Sequence, residues 1–113
     1  MSKGQSVKQV WIGFVHVVPQ QLGRGPLIPG AIGALVNALA LANGPDEFKD
    51  AVSKELEGQG LRVVEIDYVE PFNDRIKRAT VEPLLMENAE IVGRLGSVKF
   101  GTFQNYLQDD VAN

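Results

Sequence analysis

The stretch VWIGFVHVV, residues 10–18, is apolar on both of its alternating faces. Val10, Ile12, Phe14, His16 and Val18 share one side of an extended chain, and Trp11, Gly13, Val15 and Val17 share the other. A strand at a half-solvated position would show polar residues on one side, so this pattern predicts a central strand covered on both. Pro19 ends it, since proline has no N–H to give to a ladder.

Residues 31–43, AIGALVNALALAN, pose a choice between helix and strand. Ile32, Leu35, Val36 and Leu39 match the helical template, and alanine favours a helix. Only Asn37 is polar between 31 and 42, however. A helix apolar all round must be buried on every side, which a chain of 113 residues can hardly provide. A strand over 31–42 is the expectation.

The following elements alternate in type. Pro45, Asp46 and Glu47 read as the first turn of a helix with Phe48, Ala51, Val52 and Leu56 inside, stopped by Gly58 and Gly60. Residues 62–69 alternate as a strand, with Val64, Ile66 and Tyr68 on one face and Glu65 and Asp67 on the other. Glu70 falls on the side opposite these two acids. Residues 72–79 read as a charged connection, and Thr80 as the N-cap of a second helix burying Val81, Leu84, Leu85, Ala89, Val92 and Leu95. A last strand covers 98–107. The order β-β-α-β-α-β predicts an α+β two-layer sandwich, a ferredoxin-like variant with two helices on one face of a four-stranded sheet. It forms one domain over 1–113, with 1–8 and 108–113 as frayed tails.

The run PGAIGALVN…EFKDAVSKEL…GLRVVEIDYVEP resembles small bacterial α+β proteins that combine a glycine-alanine-valine-asparagine strand, an acidic helix and a VVEI strand. The resemblance spans residues 10–107. It implies a strand at 31–42 and no chemistry.

Charge and composition exclude several classes of function. The net charge is −3 and the eleven basic residues are scattered, so the positive stripe that nucleic acid requires is missing. The run 10–18 is about half the length that spans a bilayer, and no secretory signal is read at the start. With no cysteine there is no disulfide or thiolate site, which fits a cytoplasmic protein. No cofactor fingerprint and no dedicated metal-ligand spacing occurs, so neither a cofactor nor a metal is expected.

The candidate site residues are few. His16, the one histidine, has a pKa range suited to a general base, with Asp67 as orienter and Tyr68 as hydrogen-bond donor. Its strand neighbours Phe14 and Val18 are apolar, which favours a packed histidine. The loop QQLGRGPLIPG, residues 20–30, is longer than a hairpin needs. In it Arg24 could clamp an anion, or Leu22, Arg24, Leu27 and Ile28 could anchor a protein contact. Phe100 and Tyr106 share one face of the last strand and Phe103 takes the other, a pattern of packing rather than base stacking. The resulting expectation is a non-enzymatic cytoplasmic protein acting through protein contacts, a homodimer joined through the sheet or the 19–30 loop. The alternative is a small enzyme or ligand-binding protein with His16, Arg24, Asp67 and Tyr68 at a subunit interface.

Overall fold

The computed structural model describes residues 8–22 and 25–108. Strand β1 (Gln9–Pro19) pairs antiparallel with β2 (Ala31–Ala42), so both apolar runs are strands. Helix α1 (Pro45–Gly58) leads to β3 (Leu61–Pro71), which pairs antiparallel with the free edge of β1. Helices α2 (Phe72–Arg78) and α3 (Pro83–Leu95) follow. Strands β4 (Lys99–Phe100) and β5 (Gln104–Leu107) then run one after the other along the outer edge of β2. The described residues thus form an α+β fold with an antiparallel five-stranded sheet and three helices.

This departs from the four-stranded, ferredoxin-like order, and the helices are on opposite faces of the sheet. Helix α1 buries Phe48, Val52 and Leu56 against Val15, Val17, Ala34, Val36, Ala38 and Leu61. Helix α3 buries Leu85, Ala89 and Val92, with Phe72 of α2, against Ile12 and Leu39. Register explains the division: Val15 opposes Val36, whereas Ile12 opposes Leu39, one residue out of phase. Both faces of the two central strands are apolar, and each fully buried Leu, Val or Phe stabilises the fold by about 1.5–3 kcal/mol. A single helical layer could therefore satisfy only half of this sequence.

Three local readings change for identifiable reasons. Residues 72–78 are a helix, too short and too charged to carry a periodic signal, anchored by buried Phe72. Helix α3 begins at Pro83, not after Thr80, because the residue before a proline is pushed out of the helical region; Glu82 is extended at φ −64°, ψ 149°. The last strand breaks between Phe100 and Gln104, where Glu82 accepts from Thr102 N at 3.0 Å and from Thr102 Oγ1 at 3.1 Å. Across the break the alternation resets, so Phe100 and Phe103 both pack on the α1 side, with ring centroids 5.7 Å apart, and Tyr106 takes the other face.

A β-bulge has the same effect on β3. Ile12 pairs with Glu70 and Phe14 with Asp67, so Gly13 faces two residues, Tyr68 and Val69. The extra residue returns Glu70 to the face that carries Asp67 and Glu65, contrary to simple alternation. Tyr68 sits at the bulge with φ 54°, the left-handed region that side chains rarely adopt. Of the predicted tails, Lys8 and Gln108 are described and the rest lies outside the described residues. Lys8 Nζ is 3.0 Å from Glu47 at the start of α1.

Glu47 also accepts from Asn43 N at 2.6 Å, the amide just ahead of the N-cap Gly44. These partners, the Asn43 amide first and the Lys8 ammonium after it, hold the Glu47 carboxyl below its ordinary value of 4.5. A depressed carboxyl contributes stability above its unfolded pKa and loses it as pH falls through the folded one. We therefore expect Glu47→Gln to be less stable than the parent near neutrality. The two should converge as pH drops below 4.5. Urea midpoints measured from neutral to acid pH check this.

Candidate functional site

The sheet face under α3 is only half covered. The cluster of α2 and α3 stops at Ile12 and Leu39, leaving Phe14, His16 and Val18 of β1 half-buried beyond it. Between this open end and the 79–82 connection lies a groove with two lobes. The inner lobe, about 300 Å³, is lined by Phe14, Leu35, Asn37, Thr80, Glu82 and Thr102, among others. The outer lobe, about 430 Å³, is lined by Phe14, Asn37, Tyr68, Arg75, Arg78 and Ala79. Phe14, Asn37, Arg75 and Ala79 belong to both, so the lobes adjoin.

Each wall has a structural reason. Phe14 and Asn37 are directly paired across β1 and β2 and form the floor. Arg75 reaches back over the bulge, donating from Nη2 to Tyr68 O at 2.9 Å and from Nε to Glu70 Oε2. Arg78 Nη2 donates to that same oxygen. The bulge thus supplies the carboxylate that gathers both arginines, and these charge-assisted bonds hold α2 against the sheet. Glu82, the one acid lining the inner lobe, is occupied on both oxygens by Thr102.

The residues singled out in the sequence are dispersed. His16 is half-buried, and Nε2 lies 2.6 Å from the hydroxyl of Tyr106. Glu65 is its cross-strand neighbour and Asp67 its diagonal one, and neither carboxylate is hydrogen-bonded to it. Asp67 is exposed opposite Phe14, and Tyr68 is 74% exposed at the groove rim. Arg24 lies outside the described residues. Leu22 and Ile28 are exposed on the loop, whereas Leu27 packs against the α1 cluster. On either side of residues 23–24 the loop is tied down: Gln20 Nε2 donates to Leu61 O at 3.0 Å, and Ile28 N to Asn105 Oδ1 at 3.2 Å. Leu27, Ile28 and Pro29 line a separate cavity of about 290 Å³. No group of metal-ligating side chains meets among the described residues, and no helix there is long and apolar enough to cross a membrane.

Sequence reasoning missed Tyr106, Arg75 and Arg78. Tyr106 reaches His16 by lying across Gly33 of β2, where an added Cβ would be 2.2 Å from its hydroxyl oxygen. The absence of a side chain at Gly33 is what lets an edge-strand tyrosine touch the central strand. A glycine within an otherwise apolar strand was the available signal. The fold and groove define a small α+β protein with a polar-rimmed pocket on an antiparallel sheet. No family model matches the chain, and no curated protein and no solved structure is similar to it.

Gly33→Ala should displace the tyrosine ring and lower stability by about 1–3 kcal/mol, the usual cost of overpacking. In a Tyr106→Ala background the same substitution should cost much less, because the clash has been removed. A double-mutant cycle by urea denaturation reads this coupling.

Proposed function

We propose that the protein binds a small organic ligand in the two-lobed groove over Phe14. The observation that supports this reading is that the two lobes adjoin over a shared floor of Phe14 and Asn37, with polar groups on their walls and rim. The Asn37 side chain makes no hydrogen bond among the described residues although it lines both lobes. Small-molecule sites combine such an apolar base with a few convergent polar groups. Binding without turnover is the reading favoured here. His16, the side chain best suited to act as a base, is engaged with Tyr106 and lines neither lobe. A cytoplasmic site of action goes with this proposal, since a chain with no cysteine suits a reducing compartment.

Benzyl alcohol is the probe for this reading. At millimolar concentration it should shift the amide resonances of Phe14, Asn37, Thr80 and Val81 in the full-length labelled chain. Ala79→Trp, a substitution at an exposed position lining both lobes, should abolish those shifts. Shifts confined to the 19–30 loop, or shifts that survive Ala79→Trp, overturn the proposal.

A second reading is self-association, favoured by a different observation. His16, Val18, Leu35 and Tyr106 are half-buried beyond the end of the α2–α3 cluster. A second copy laid on this end would cover them, and half-covered apolar sheet faces are frequent contact sites. Sedimentation at micromolar concentration should then give a dimer that Val18→Glu dissociates. A strict monomer sinks the reading.

A further inference from the structure

We infer that the outer lobe reads an oxyanion carried on a flat apolar body, an aromatic carboxylate being the simplest case; this rests on the binding reading above. Charge accounting at the rim leads to it. Two guanidinium groups, Arg75 and Arg78, share a single carboxylate, Glu70, through one of its oxygens. One positive charge therefore remains uncompensated within this group.

The remaining charge resides on Arg78. The Arg75 side chain is only 15% exposed and is committed to both Glu70 and the bulge carbonyl. The Arg78 side chain is 57% exposed and uses only Nη2 toward the protein. Its second Nη2 hydrogen and those of Nε and Nη1 stay available, and Nη2 with a neighbouring nitrogen makes the planar fork that pairs with a carboxylate. Glu82 keeps its negative charge while accepting from Thr102, but it lines the inner lobe, which Arg78 does not, and it forms no ion pair with Arg78. Asp67 shares the face but lines neither lobe, and it acts as a negative neighbour that weakens any anion bound there.

Tyr68 supplies the independent observation. It is a bulky residue held at φ 54°, and its side chain is 74% exposed. Left-handed backbone at a non-glycine residue costs roughly 1–3 kcal/mol. Burial of the ring does not offset that cost in the free protein. Arg75, by bonding Tyr68 O, holds the strained peptide in place beside Arg78. An aromatic ring kept at the mouth of a lobe floored by another aromatic, Phe14, fits the flat body of a ligand whose charge meets Arg78.

The test compares benzoate, benzyl alcohol and inorganic phosphate against the full chain, with groove amide shifts giving affinities. Benzoate should bind about tenfold more tightly than benzyl alcohol, the difference expected of a charge-assisted pair. Arg78→Gln should erase that preference by weakening benzoate about tenfold, and Asp67→Asn, at a position lining neither lobe, should strengthen benzoate alone. Tyr68→Gly should weaken benzoate about fivefold while the protein becomes no less stable, since glycine accepts the bulge backbone. That opposition separates a ligand contact from a structural role. Equal affinity for benzoate and benzyl alcohol, or a benzoate affinity indifferent to Arg78→Gln, overturns the inference and leaves the binding reading standing. Phosphate binding as tightly as benzoate overturns the requirement for a flat body. Failure of both aromatic probes to reach the groove overturns the binding reading itself.

Discussion

The pairing of β1 with β2 places two strands side by side that carry apolar side chains on both faces. No arrangement with one covering layer can bury Val15, Val17, Val36 and Ala38 together with Ile12 and Leu39. Helix α1 meets the first set, and α2 with α3 meets the second. The two helical layers differ in reach, and that difference creates the groove. The α1 cluster extends along the sheet from Ala42 to Ala34, whereas the opposite one stops at Ile12 and Leu39.

Two breaks in strand regularity then shape the exposed remainder of that face. The bulge opposite Gly13 turns Glu70 inward, and Glu70 collects Arg75 and Arg78 into a rim. The interruption after Phe100, held by Glu82 and Asn88, turns Tyr106 toward His16. In each case one or two residues out of register move a polar side chain from one face to the other. The polar character of the groove comes from these irregularities more than from the strands themselves.

Much of the architecture could be read from periodicity. The strand at 61–71 and the helix at 45–58 show their period, whereas the strands at 9–19 and 31–42 follow from apolar runs that a chain of this size can house only in a sheet. The α2 helix could not be read this way, because seven residues ending in a basic cluster carry no stripe. The helix that Thr80 predicts starts two residues ahead of the one at Pro83, because Thr80 is an acceptable cap; the constraint that proline puts on Glu82 decides the start. The site was less legible than the fold. His16 was visible as a lone histidine, but its partner is 90 residues away and depends on an empty Cβ position at Gly33.

The sequence by itself determined that residues 10–18 and 31–42 carry apolar side chains on both faces, and where β1, β2, α1 and β3 lie, because hydrophobic pattern and proline geometry are local properties. Only the tertiary structure decided that the helices divide between the two faces, that Glu70 joins Asp67, and that Tyr106 reaches His16. Those outcomes depend on register between segments distant in the chain. A shift of one residue inverts the face of everything that follows, and composition holds no record of it.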